Sequence, residues 1–147
     1  MLRASSFAKA RAAAMVFAIA GILHIPAILA KEPQKPIHQL RIYEIFDHNK
    51  QAFHDRFRDH AMRIMARHGF NIVATWEAKN GERTEFVYLI EWPDRDKMKA
   101  SWAALRADQE WTRIKKETAE AHGALLGDIQ ERTLELTDYS PREVLAR

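Results

Sequence analysis

The sequence predicts an α+β domain with the element order β-α-β-β-α-β, preceded by a targeting segment. Apolar residues recur at spacings of three and four in two stretches, which indicates two amphipathic helices. Four other stretches alternate apolar with polar residues or are rich in β-branched and aromatic residues, which indicates strands. The Asn80-Gly81 pair between two of these stretches is a strong hairpin signal. The 147 residues allow one hydrophobic core behind the targeting segment, but not two.

The first half of the domain is predicted to contain a strand, a helix and a second strand. Residues 38–46 alternate in the way expected of a strand. Residues 49–68 are predicted to form a helix, because apolar side chains share one stripe and Gly69 follows at the expected stop position. That stripe consists of Phe53, Phe57, Ala61, Ile64 and Met65. Residues 71–77 are predicted to form the second strand.

The second half is predicted to contain a strand, two helical stretches and a last strand. Residues 84–92 form the third strand, and Asp94 can cap the helix predicted at 95–105. A second helical stretch at 108–122 begins at another aspartate that is suited to capping. Residues 128–136 form the last predicted strand.

These elements fit a ferredoxin-like arrangement, in which one four-stranded antiparallel sheet carries both helices on one face. The third strand carries large apolar side chains on both of its sides: Phe86 and Tyr88 on one, Val87 and Leu89 on the other. A sheet that is apolar on both faces is normally buried on both. We therefore expect the face without helices to pack against a second copy of the chain.

The N-terminal residues 1–30 are interpreted as a signal peptide. Basic residues precede an apolar run at 12–30 that ends in small residues. A linker at 31–37, the domain at 38–140 and a tail at 141–147 follow. We therefore expect a periplasmic or secreted protein, where "periplasmic" assumes a Gram-negative host. Two alternatives stay open: an uncleaved membrane anchor, because the run approaches the length of a spanning helix, and a mitochondrial transit peptide, because the start is basic and acid-free.

The charge of the predicted mature domain is balanced. The chain has 23 Lys and Arg against 20 Asp and Glu, and the surplus of three consists of Arg3, Lys9 and Arg11. A neutral domain lacks the surplus of positive charge that binding of a phosphate backbone requires, so we expect no nucleic-acid partner. The chain has no cysteine, which excludes disulfides and thiolate metal sites, and it has no HExxH motif. We therefore expect no bound metal.

Several motifs together resemble the NIPSNAP family. They are LRIYEIF, RFRDHAMRIMARHG, the Trp at the end of the second predicted strand, SWAALRADQEW and TDYSP. The order and spacing of these motifs are more specific to the family than any single motif, and the motifs together cover nearly the whole mature domain. The family's usual Pro-Gly-Lys and Asp-Pro-Glu-Trp are replaced here by residues 47–50 and 108–111, which are loop and cap changes. The resemblance implies a dimeric α/β barrel, with two ferredoxin-like sheets packed face to face, and it implies no agreed reaction.

A candidate ligand pocket can be placed between the sheet and the helices. The helical period puts His60 on the buried stripe of the first helix, where it could act as an acid, a base or an axial ligand. The simpler interpretation is a hydrogen-bonded core histidine. Tyr43, Trp76 and Trp102 could reach the same space, and apolar walls with a few polar groups are typical of small-ligand sites. The simpler interpretation of these aromatic residues is plain core.

Two further residues are secondary candidates. Arg41 shares a strand face with Tyr43. His68 ends the first helix, where the simplest role is that of a cation near the helix C-terminus. Five other charged residues of this helix are assigned to surface ion pairs. They are Asp55, Arg56, Arg58, Asp59 and Arg63.

Three functions are compatible with these residues. The first, which we favour, is an exported homodimer without a cofactor that binds a small apolar ligand or a partner protein. The second is an enzyme similar to the cofactor-free monooxygenases or haem-handling proteins built on the same barrel, with His60 in the pocket. The third is a structural role that needs only an extended interface. We expect contact with a membrane only through an uncleaved N-terminal segment.

Overall fold

The computed structural model describes residues 35–141. The predicted signal peptide, most of the linker and all but the first residue of the tail lie outside these described residues. The domain contains four strands: β1 (Ile37–Ile45), β2 (Asn71–Asn80), β3 (Arg83–Trp92) and β4 (Leu126–Glu135). In the described part of the chain, no helix has the length and apolar character needed to span a bilayer.

The four strands form one antiparallel sheet in the order β2-β3-β1-β4. Strands β1 and β2 run parallel but are not neighbours, because β3 lies between them and pairs with both. This is the ferredoxin-like order predicted from the sequence. The β2–β3 hairpin turns at Gly81 and Glu82, since Asn80 already pairs with Arg83. Gly81 has a φ of 61°, a conformation that glycine adopts without strain.

The first helix is one rod in three segments. They are α1 (Lys50–Arg56), a π-helical turn (Phe57–Ala61) and α2 (Met62–Arg67). The predicted extent of this helix is correct, but its regularity is not. A π turn closes i→i+5 hydrogen bonds and so accommodates one residue more than an α turn. The 3.6-residue period is therefore interrupted in this turn, although Phe57 and Ala61 are buried as the predicted stripe requires.

The second helical region is divided into α3 (Arg95–Ala107) and α4 (Gln109–His122), as the sequence predicts. Asp94 caps α3 by accepting a hydrogen bond from the backbone N–H of Lys97 at 2.7 Å. Asp108 caps α4 in the same way, with the N–H of Trp111 at 2.9 Å. Each carboxylate satisfies an N–H that has no partner inside its helix. These two caps fix where the helices start over the sheet.

The core lies between the helices and the face of the sheet that they cover. On β3, four large side chains point to this helix-facing side and are all buried: Phe86, Tyr88, Ile90 and Trp92. The opposite face, called the open face below, carries half-buried aliphatic side chains and two exposed apolar ones. Trp76 is 49% exposed and Leu134 is 39% exposed. The sheet is thus apolar on both faces, as predicted, and pairing with a second copy stays a prediction.

Candidate functional site

An apolar space of about 190 Å³ lies between the helix-facing side of the sheet and the helices. We call it the interlayer cavity. The sheet contributes Tyr43 and Tyr88, the π turn contributes Phe57 and Ala61, and α3 contributes Trp102. The remaining lining residues are Phe53, Arg56, Met65, Leu105, Trp111, Lys115, Leu126 and Ile129. Apolar walls with few polar groups are the usual composition of a small-ligand site.

A more open groove of about 530 Å³ adjoins this cavity and is called the entry groove. It runs between edge strand β4 and the helices α3 and α4. Cavity and groove share Trp102, Leu105, Trp111, Lys115 and Ile129 as lining residues. Ile129 is 47% exposed, so the boundary between the two spaces is formed in part by a side chain at the surface. A ligand would therefore reach the interlayer cavity from the β4 edge of the sheet.

A hydrogen-bonded pair of tyrosine hydroxyls provides the main neutral polar groups of the cavity. The hydroxyl oxygens of Tyr43 and Tyr88 lie 2.6 Å apart and share a hydrogen bond. Arg41 donates to the Tyr43 hydroxyl at 3.3 Å and also pairs with Glu131. Burial raises the pKa of Tyr88, and the neighbouring Tyr43 hydroxyl raises it further. Tyr88 therefore stays protonated at neutral pH, which makes it a hydrogen-bonding group rather than a base.

A buried glutamine, Gln39, organises the aromatic wall next to the cavity. It is 4% exposed, and its side-chain oxygen accepts from the indole N–H of Trp102 at 2.7 Å and from that of Trp92 at 3.3 Å. Its amide donates to Glu131 at 3.3 Å. The guanidinium of Arg41 lies 4.7 Å above the Trp102 ring. The alternation of side chains along β1 puts Gln39 on the same face as Arg41. This alternation is the sequence signal that could have identified Gln39 as a residue of the site.

Arg56 is the cavity residue that the sequence analysis assigned wrongly. Arg58 does pair with Asp55 and Asp59 at the surface, but Arg56 is only 9% exposed. Its guanidinium donates to the Thr118 hydroxyl at 3.1 Å and lies 5.7 Å from the centre of the Trp111 ring. Burial lowers its pKa, and the nearby Tyr43 hydroxyl opposes that effect. The pattern of charges along the helix does not reveal that this arginine is buried.

The structure brings together only part of the predicted pocket. Tyr43 and Trp102 line the interlayer cavity, and Arg41 lies at the entry groove. Trp76 does not join them, because it stands opposite Val87 on the open face of the sheet. A bulge in β2 between Ile72 and Ala74 sets which side chains of that strand face the helices. The four residues proposed from the sequence therefore do not form a single pocket.

His60 lies outside the cavity. It is half-buried and lines an open surface depression together with Asp59 and His122. His60 therefore does not share the burial predicted for the stripe. It lies in the π turn, whose buried residues are Phe57 and Ala61.

His68 has a structural partner at the end of the same helix. Its ring nitrogen lies 2.7 Å from a carboxylate oxygen of Asp108, which also accepts from Arg67 at 2.7 Å. The hydrogen bond from His68, with those from the Trp111 N–H and Arg67, holds the pKa of Asp108 well below its usual range. His68 therefore ties the end of α2 to the capping residue of α4. Within residues 35–141, no group of three His, Asp or Glu side chains is placed to hold a metal ion.

Comparisons with known proteins agree with this fold. The sequence profile of the NIPSNAP family matches residues 38–141. No curated protein matches the chain. An uncharacterised NIPSNAP-like domain protein from Burkholderia xenovorans superposes with a TM-score of 0.62 at 20% identity, covering 74% of this chain and 90% of that one. A NIPSNAP family protein from Agrobacterium tumefaciens superposes with a TM-score of 0.62 at 22% identity, covering 72% and 97%.

A second NIPSNAP domain protein from Burkholderia xenovorans gives a TM-score of 0.61 at 17% identity, covering 72% of this chain and 99% of that one. At identities this low, the structural likenesses establish the fold and nothing about ligands. The family assignment depends on the profile, which covers most of the chain and nearly all described residues. The chain belongs to the NIPSNAP family.

Proposed function

We propose that this protein binds a small apolar ligand in the interlayer cavity. The observation that carries the proposal is the cavity itself, about 190 Å³ of largely apolar space between sheet and helices. A well-packed core leaves few voids larger than a water molecule. An apolar cavity of about 150 Å³ is known to admit benzene, so this one suits a single ring system or a short branched chain.

The alternative of an enzyme centred on His60 has no geometric support. His60 lines a surface depression and not the cavity, so it does not face a ligand bound there. The titratable side chains that line the cavity are Tyr43, Arg56, Tyr88 and Lys115. Tyr88 keeps its proton at neutral pH, since its pKa is raised. These groups are suited to binding and orienting a ligand by hydrogen bonds and charge.

We further infer that the protein is an exported homodimer. The support for dimerisation is the open face, where Trp76 and Leu134 are exposed beside half-buried aliphatic residues of β1 and β3. An apolar face of this kind is normally covered by another surface. The support for export to the periplasm or the medium is the signal-like composition of residues 1–30. Neither inference affects the position of the cavity, which lies on the other side of the sheet.

The binding proposal is tested with indole, a neutral and mostly apolar probe, titrated into the purified protein by ligand-observed NMR. Ala61 is 2% exposed and lines the cavity, so Ala61→Leu fills the space that the ring would occupy. Ala66→Leu makes the same change at an exposed position of α2 and serves as the matched control. We expect saturable binding to the wild type and to Ala66→Leu, and loss of binding in Ala61→Leu. Binding that survives Ala61→Leu would place the probe elsewhere and contradict the proposal.

A further inference from the structure

The interlayer cavity and the entry groove are lined by an excess of positive charge. Five basic residues face these two spaces: Arg41, Arg56, Lys99, Arg106 and Lys115. One acidic residue does so, Glu131, and it already pairs with Arg41. After residue 30 the chain has equal numbers of basic and acidic residues, 20 of each, because 23 less 3 is 20. The excess is thus a local property of this site.

Arg56 is the member of this group that lies deepest. It is 9% exposed and lines the cavity, and it has no carboxylate partner among residues 35–141. Within the described part of the chain, its one hydrogen bond to another side chain goes to the neutral Thr118 hydroxyl. A buried guanidinium with no counter-ion is costly in free energy, so buried charges are normally paired. An arginine kept in this state is suited to a ligand that brings the missing negative charge.

Further donors converge on the same place. The Tyr43 hydroxyl joins Arg41 to Tyr88, and Arg56 and Tyr43 both line the interlayer cavity. The Nε of Arg41 is buried and has no acceptor. Guanidinium groups present N–H donors in a planar fork that matches the two oxygens of a carboxylate. The cavity therefore combines apolar walls with the donors of Arg56 and the two tyrosines, and Arg41 adds donors at the entry groove.

We propose that the natural ligand is a small apolar carboxylate, whose ring or branched body occupies the interlayer cavity and whose carboxylate is bound by Arg56 beside the Tyr43 hydroxyl. This inference rests on the proposed binding function and specifies its ligand class. The basic residues of the entry groove attract the anion from solution, and the buried Arg56 discriminates it from neutral molecules of the same shape. Attraction at the groove weakens with added salt, whereas a contact at a buried residue is screened much less.

The test compares benzoate with benzamide, which has nearly the same shape and no charge, by calorimetry on the full chain at physiological ionic strength. A charge-assisted contact of this kind corresponds to about a tenfold preference for benzoate or more. In Arg56→Met, which keeps the length of the apolar stem, we expect the preference to fall to about twofold or less, since the charge-assisted bond is gone. Arg56→Lys keeps the positive charge and should therefore retain part of the preference for benzoate. Arg58→Met, at an exposed site of the same helix, is the control and should leave the preference unchanged.

The possible results distinguish a failure of the carboxylate inference from a failure of the proposal that the cavity binds a small apolar ligand. Indole is measured in parallel, and because it carries no charge, Arg56→Met should change its affinity less than it changes the affinity of benzoate. Indole binding without any preference for benzoate overturns the carboxylate inference and leaves the cavity as an apolar site. A preference for benzoate that persists in Arg56→Met overturns the role of Arg56. If neither indole nor benzoate binds the wild type, the proposed function itself is wrong. Should Arg56→Met fail to fold, Tyr43→Phe removes the neighbouring donor and must reduce the preference if the inference is correct.

Discussion

Replacing Gln39 by leucine should destabilise the domain, because two tryptophan N–H groups would lose their common acceptor. Trp92 is 0% exposed and has no access to water, so its N–H would bear the larger penalty. An unsatisfied buried donor costs roughly 1–3 kcal/mol. Trp102 is only half-buried, so water can replace part of its 2.7 Å bond. The two effects together give an expected decrease in the free energy of unfolding of about 2–3 kcal/mol.

The assay is urea unfolding followed by tryptophan fluorescence, with the midpoint and the slope m fitted separately. The midpoint should fall while m stays constant, since the surface exposed on unfolding is unchanged. Gln109→Leu, at an exposed position, is the matched control and should stay within about 0.5 kcal/mol of the wild type. Trp102→Phe combined with Gln39→Leu should cost less than the sum of the two single changes, because one donor disappears with its acceptor. A Gln39→Leu variant as stable as the wild type would refute this assignment of hydrogen bonds.

Two further predictions concern pH and assembly. The folded pKa of Asp108 is depressed, so its stabilising effect is present above the unfolded value of about 3.9 and is lost as the pH falls towards the folded pKa. Asp108→Asn should therefore be less stable than the wild type at pH 7. The difference between their free energies of unfolding, measured with urea, should shrink below about pH 4. A difference that does not depend on pH would contradict this role of the Asp108 carboxylate. Trp76→Glu places a charge on the open face and should convert a dimer into a monomer in sedimentation velocity experiments, with exposed Lys79 changed to Glu as the control. A wild type that is already monomeric would exclude the dimer.

The sequence was sufficient to predict the antiparallel sheet, its β2–β3 hairpin and the helix caps. Alternation in β3 and the Asn-Gly pair define the hairpin, and Asp94 and Asp108 have the short acceptor side chains that helix N-termini need. These features are local, so each can be recognised in a short window. The strand ends differ by a few residues, since β2 continues to Asn80 and β4 begins at Leu126. Strand ends depend on pairing with neighbours that a local pattern does not contain.

The site was harder to predict, because two of its elements are irregular. His60 lies in the π turn at Phe57–Ala61 and outside the interlayer cavity, while Arg56 just before this turn lines the cavity. The bulge in β2 and the register with β3 place Trp76 on the open face. Neither irregularity has a glycine or proline that would mark it in the sequence. Tyr43, Trp102 and Arg41 lie on regular elements, and they line the interlayer cavity or the entry groove.

The most direct test of the central claim, that the interlayer cavity binds a small apolar ligand, is to locate the bound probe. The measurement is an isotope-edited NOE experiment on protein with ¹³C-labelled alanine methyl groups and unlabelled indole. The proposal predicts NOEs from indole protons to the Ala61 methyl, which lines the cavity. It also predicts none to Ala74 or Ala78, whose strand register places them on the open face. NOEs to Ala74 or Ala78 and not to Ala61 would show that the open face is the binding surface and would contradict the account.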